Sequence, residues 1–184
     1  MPIQECKIAP EEAAMLQLIS LVLVIYSYFI VQANISKLPK CIPTHFNAAG
    51  VADGWGSPDT LWFLLGAQAL TCGIFLLVPY LSQRNPKLVH FGPRKLSDFP
   101  PAERQRMSAL LNDMTGYLSI VMNVFFVWML LQIVKAATAP HPRIQPFLPL
   151  GLLVGGMAGI TSYYFVQFWR VSRSKGNPSN EVRA

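Results

Sequence analysis

The stretch AAMLQLISLVLVIYSYFIVQA, residues 13–33, decides the fold. It contains no Asp, Glu, Lys, Arg or His. At a rise of about 1.5 Å per residue, roughly 20 such residues cross the hydrocarbon of a bilayer as a helix. One run of this kind could be a buried helix of a soluble core. Three more follow it, at 61–81, at 117–134 within a span of about 115–135, and at 147–169. None of these apolar runs holds an Asp, Glu, Lys, Arg or His either. Four such segments could not all be buried by 184 residues without lipid. The reading is an all-α integral membrane protein with four transmembrane helices in a single domain, 1–169, and a basic cytoplasmic tail, 170–184.

Composition agrees. Charged residues make up 13% of the chain and hydrophobic ones 52%, with mean hydropathy +0.36. A soluble domain carries about 25% charged residues. The net charge is +6. No basic helix or aromatic-basic strand accompanies it, so nucleic acid is not an expected partner. The basic residues lie in loops, where they set topology and meet anionic lipid. The cysteines, Cys6, Cys41 and Cys72, form no CxxC and no zinc spacing. The three fall in different compartments, so no intrachain disulfide is expected. The acidic start (Glu5, Glu11, Glu12) and the length of the first run argue against a cleaved signal peptide.

Loop charge gives the orientation. With four spans, the two ends and the middle loop share one side. That side holds eleven Lys and Arg; the other holds Lys37, Lys40, Lys135 and Arg143. The ends and middle loop are therefore expected in the cytoplasm. Trp55, Trp62, Tyr80, Tyr117 and Trp169 fall near the expected interfaces. Ser57-Pro58-Asp59 reads as the start of the second helix, and Asp98 before Pro100-Pro101 as the start of another. Met107, Leu110, Leu111, Met114 and Leu118 recur at helical spacing. They describe either a membrane-surface helix or the protruding end of a long third helix. Gly151, Gly155 and Gly159 form a stripe on the fourth run. It suits close packing within the bundle, or a homodimer seam through that helix. Gln17, Gln68, Asn123 and Gln132 are expected to hydrogen-bond between helices. With no charge in any span, a proton relay is not expected.

The loop at 38–57, LPKCIPTHFNAAGVADGWGS, is too structured for a linker. Ile42, Thr44 and Phe46 alternate with Pro43, His45 and Asn47 as in a short strand. Asn47–Gly50 and Asp53-Gly54 read as turns. The expectation is a compact extracytoplasmic cap, with Phe46 and Trp55 packed toward the membrane. His45, Asn47 and Asp53 form a polar cluster, with Cys41 and Asp59 near in sequence and His141 in the other outer loop. That set could bind a ligand, hold a metal, perform acid–base chemistry, or only satisfy turn backbone. The glycines do not form a phosphate loop.

Ile42-Pro43-Thr44-His45-Phe46-Asn47, then Gly50, then Asp53-Gly54-Trp55-Gly56-Ser57, resembles the signature of an uncharacterised bacterial membrane domain. That domain forms the N-terminal half of SdpI-type immunity proteins. The resemblance implies a multi-pass protein of the bacterial inner membrane. Such proteins protect a toxin-producing cell from its own peptide toxin and relay its presence to a membrane-held repressor. By resemblance, the loop would meet an extracytoplasmic peptide or protein, and the basic middle loop a cytoplasmic partner. The second half of those proteins is not recognisable here. The leading expectation is a non-enzymatic, SdpI-like protein that senses or binds through His45, Phe46, Asn47, Gly50, Asp53 and Trp55, with no cofactor. The alternatives are an accessory subunit of a larger membrane complex and a small metal-dependent enzyme using His45 and Asp53.

Overall fold

The computed structural model describes residues 10–91 and 94–173. Four helices dominate: α1 (Pro10–Asn34), α2 (Thr60–Arg84), α3 (Pro101–Ala137) and α4 (Phe147–Arg173). Each is long and apolar enough to cross a membrane. Their outer surface is apolar; Phe63 is 83% exposed and Phe147 73%. In water such a surface would drive aggregation. In lipid it is the solvated face. The chain is a polytopic, four-helix membrane protein.

The helices alternate in direction. The start of α1, end of α2, start of α3 and end of α4 define one end of the bundle, here the basic end. The opposite end, the cap end, carries strands β1 (Ile42–Phe46) and β2 (Ala52–Gly56), paired antiparallel. Near the basic end, β3 (His90–Phe91) pairs with β4 (Arg94–Lys95).

The central helix is α3, which packs against α1, α2, α4 and β1. It is continuous over 37 residues, about 55 Å at 1.5 Å per residue. That exceeds a hydrocarbon thickness of about 30 Å. Residues 101–118 are therefore the protruding end of a long helix, and the separate surface helix is not formed. Met107, Leu111 and Leu118 are buried, while Leu110 and Met114 are half-buried. Leu96, Phe99 and Met107 make a small core with Val89, Phe91, Phe168 and Val171. The Phe91 and Phe168 rings lie 4.8 Å apart. This core ties the β3–β4 ribbon to α3 and α4.

Helix starts differ from the sequence reading. The Ser57 hydroxyl accepts from the Asp59 amide at 3.2 Å, but α2 begins only at Thr60. Asp98 does not open α3. It ends a short 3-10 turn, Leu96–Asp98, and accepts from the Lys95 amide at 3.0 Å. That bond and nearby charges hold its carboxyl below the ordinary value of 3.8. The α3 helix opens at Pro101, where a missing N–H costs nothing. The expected tail from 170 is helical through Arg173; residues 174–184, and Cys6, lie outside the described residues.

The glycine stripe of α4 faces outward. Gly151, Gly155 and Gly159 are exposed, and an added Cβ at each would meet nothing within 4 Å. Packing within the bundle is not their role in this chain. The glycine that lets two helices approach is Gly116 on α3. A Cβ there would lie 2.9 Å from the Leu16 Cβ of α1.

Candidate functional site

The cap is built from Ile42 outward. Ile42 is fully buried and joins Ile30, Val31, Leu61 and Leu130 in the core at the cap end. This plugs the root of β1 into the bundle. The register then runs Ile42↔Gly56, Pro43↔Trp55, His45↔Gly54 and Phe46↔Ala52. Thr44 and Asp53 drop out of the ladder at irregularities. Bulges re-aim side chains. Here the His45 Nδ1 and the Asp53 Oδ1 lie 2.5 Å apart on the exposed surface. Gly54 permits this crossing, since a Cβ there would come within 2.7 Å of the His45 Cβ. Asp53-Gly54 is therefore strand, not a turn.

The turn expected at Asn47–Gly50 is present. The Asn47 side-chain oxygen accepts from the Ala49 and Val51 amides at 2.9 and 3.1 Å. Gly50 has φ +73°, the left-handed region that glycine enters without strain. It also touches the second loop of the cap end. The Ile144 amide donates to the Gly50 carbonyl at 2.9 Å, and the Ala52 amide to the Pro142 carbonyl at 3.2 Å. A Cβ at Gly50 would sit 2.1 Å from the Ile144 oxygen. Asn47 and Gly50 thus shape the backbone and staple two loops together.

His45, Asp53 and Trp55 are also exposed, without such a part in the turn. Trp55 is 54% exposed, and Phe46 is half-buried. Cys41 is a free, exposed thiol. Asp59 accepts from the Ser57 hydroxyl at 2.9 Å, and among the described residues no hydrogen bond joins it to the His45–Asp53 pair. His141 is exposed, and no hydrogen bond or ion pair joins it to that pair among the described residues. Among those residues no three His, Cys, Asp or Glu side chains converge. His45 and Asp53 alone offer two ligands where a zinc centre takes three or four. Beside the cap, a groove of about 330 Å³ runs between α2 and α3, lined by Pro43, Thr44, Phe63, Leu64, Met129 and Ile133.

Sequence reasoning missed a second polar feature. Asp113 on α3 is 3% exposed, one turn before Gly116. It escaped notice because it lies just outside the apolar run, where acidic residues usually face water. A sequence signal was present: helical spacing already placed its neighbours Leu111 and Met114 on a continuous helix.

Residues 18–69 match the model of a domain of unknown function, DUF1648. The match runs from α1 through the cap into α2, and includes every residue of the hairpin. Comparison with curated proteins and with solved structures gives no match.

Proposed function

We propose that this chain is a non-enzymatic binding protein of the bacterial inner membrane, SdpI-like in its cap, with the cap outside and the basic end in the cytoplasm. The observation that carries the reading is the division of labour in the hairpin. Ile42 anchors it, Asn47 and Gly50 fold and staple it, and His45, Asp53 and Trp55 are left exposed on the hairpin. A hydrogen-bonded His–Asp pair beside an aromatic, next to an apolar groove, suits an extracytoplasmic peptide with mixed polar and apolar side chains. The domain match over 18–69 and the resemblance in the loop support the same region.

Orientation has local support. At the basic end Arg84 lies 5.2 Å from the Tyr80 ring and Arg173 4.1 Å from the Trp169 ring. Aromatic rings at headgroup level with cations beyond them suit a cytoplasmic face. Cys41 should react from outside intact cells with an impermeant maleimide. Outside labelling of a cysteine placed at Lys95 would reverse the assignment.

Binding is tested with a photo-crosslinking amino acid at Trp55, followed by mass spectrometry of adducts formed in native membranes. A saturable adduct that disappears in His45→Ala/Asp53→Ala, with the bundle still folded, is the expected result. No adduct above that of a crosslinker at lipid-facing Leu18 of α1 would sink the binding reading. A second reading, an accessory subunit of a membrane complex or a homodimer through α4, is favoured by one observation: the Gly151, Gly155 and Gly159 stripe faces outward.

A further inference from the structure

At the basic end, between α1, α2 and α3, lies a cavity of about 550 Å³. Its walls include Ala13 of α1, Ser82 at the end of α2, and Arg104, Ser108, Asn112 and Asp113 of α3. Asp113 is 97% buried by its 3% exposure, and its Oδ2 has no hydrogen-bond partner. One turn along α1 from Ala13, Gln17 is also buried, with both amide atoms unpaired. A buried carboxylate oxygen with no partner is costly, and a ligand that reaches it would relieve that cost.

The chemistry of that ligand follows from the walls. It is cationic, to meet Asp113. A metal ion is poorly served, because no three His, Cys, Asp or Glu side chains converge among the described residues. The acceptors available are scattered oxygens. The Ser82 hydroxyl spends its proton on the Pro79 carbonyl at 2.8 Å, so its lone pairs can accept. The Asn112 side chain adds another carbonyl oxygen at the wall. Three N–H donors on one small centre match a carboxylate plus such acceptors. Arg104, on the same wall nine residues before Asp113, disfavours a second positive charge. The cavity is far larger than a bare ion, so a small neutral or anionic remainder fits beside the ammonium.

We propose that this cavity binds a primary ammonium ion, with the Asp113 carboxylate as its counter-charge. The amine is either a soluble metabolite or the headgroup of an aminophospholipid, and both present the same group. The site lies at the other end of the bundle from the cap and stands independently of the cap's role.

The test uses the full chain in phosphatidylcholine nanodiscs, whose headgroups have no N–H donors. Thermal unfolding is followed by intrinsic tryptophan fluorescence during titration with ethanolamine hydrochloride. Choline chloride at equal ionic strength is the control: the same charge and hydroxyethyl remainder without N–H donors. A saturable upward shift with ethanolamine and none with choline is expected. In phosphatidylethanolamine nanodiscs, a lipid source would raise the transition before any amine is added and leave the titration flat. A soluble source would leave the titration intact. Asp113→Asn should weaken the amine effect by about 10- to 100-fold, as for loss of a charged hydrogen bond. Ala109→Leu keeps the carboxylate and narrows the cavity, and should reduce the shift in either lipid. Equal responses to ethanolamine and choline in phosphatidylcholine, together with no difference between the two lipids, would overturn the proposal. So would an amine effect of wild-type size in both variants.

Discussion

Replacing Gly50 with Ala should open the cap and leave the bundle alone. The residue has φ +73°, which costs an alanine about 1 kcal/mol. Its Cβ would also lie 2.1 Å from the Ile144 carbonyl oxygen, inside any tolerable contact. The neighbour is backbone, so a rotamer change cannot relieve it. The two loops must separate, losing the Ile144–Gly50 and Ala52–Pro142 hydrogen bonds, each worth about 1 kcal/mol. The sum is about 3 kcal/mol, or roughly a 100-fold rise in the local opening constant. Hydrogen exchange with mass spectrometry reads this directly. Peptides covering 42–56 should exchange about 100-fold faster in Gly50→Ala, and those from α1 to α4 should not change. The other glycines grade the effect. Gly54→Ala meets the His45 Cβ at 2.7 Å and should act less strongly, by splitting the exposed pair. Gly56→Ala meets a Thr44 methyl at 3.0 Å, which a small shift relieves. An unchanged exchange rate over 42–56 in Gly50→Ala would show that the two loops are not held together through this residue.

Three further outcomes follow. Gly155→Leu should leave the thermal transition of the monomer unmoved, because its Cβ points into open space; if α4 forms a dimer seam, the same variant should abolish the dimer in crosslinking or single-molecule photobleaching. Asn123→Leu removes the acceptor for the Gln68 amide, a bond of 3.0 Å in the core, and should destabilise the bundle by about 1 to 3 kcal/mol in a reversible unfolding assay; adding Gln68→Leu should recover part of the loss, and no recovery would mean that packing, not the orphaned amide, sets the cost. Asp98 has its carboxyl held below 3.8, so its contribution to the β4–α3 junction is present above the unfolded value and lost as pH falls through the lower folded one; exchange at the Lys95 amide should accelerate only under acid, and Asp98→Asn should remove that pH dependence.

The four spans were legible because lipid imposes a length and a polarity that few other structures need. Their ends were less so. Helices α2 and α3 begin two to three residues from the motifs that pointed to them, Ser57-Pro58-Asp59 and Asp98, because those groups cap short preceding turns instead. In the cap, the alternation from Ile42 to Phe46 was visible as a strand, and Asn47 to Gly50 as a turn. Asp53-Gly54 was not, since its glycine answers a cross-strand contact with His45 and not a local bend. Only the paired strand reveals that need.

The deeper limit is that periodicity loses its direction in a bilayer. In water an apolar stripe marks the face that is buried. In this chain large apolar side chains such as Leu18, Phe63, Leu152 and Phe165 lie on the surface, each more than half exposed. The interior is marked by polar ones: Gln17, Ser20 and Ser27 on α1, Gln68 on α2, and Ser119 and Asn123 on α3. Polar side chains are poorly solvated by hydrocarbon, so they face inward, and Gln68 and Asn123 bond to each other there. Glycine carries no such label. The Gly151–Gly159 stripe and Gly116 look alike in sequence, yet one faces outward and the other seats Leu16. What distinguishes Gly116 is its company: buried Thr115 and Ser119 flank it, and Asp113 precedes it. Reading polar residues as the inward mark would have placed α3 at the centre of the bundle and Asp113 inside it. On that reading the unpaired Asp113 Oδ2 stands out as the acidic atom, among the described residues, that the bundle's own hydrogen bonding leaves without a partner.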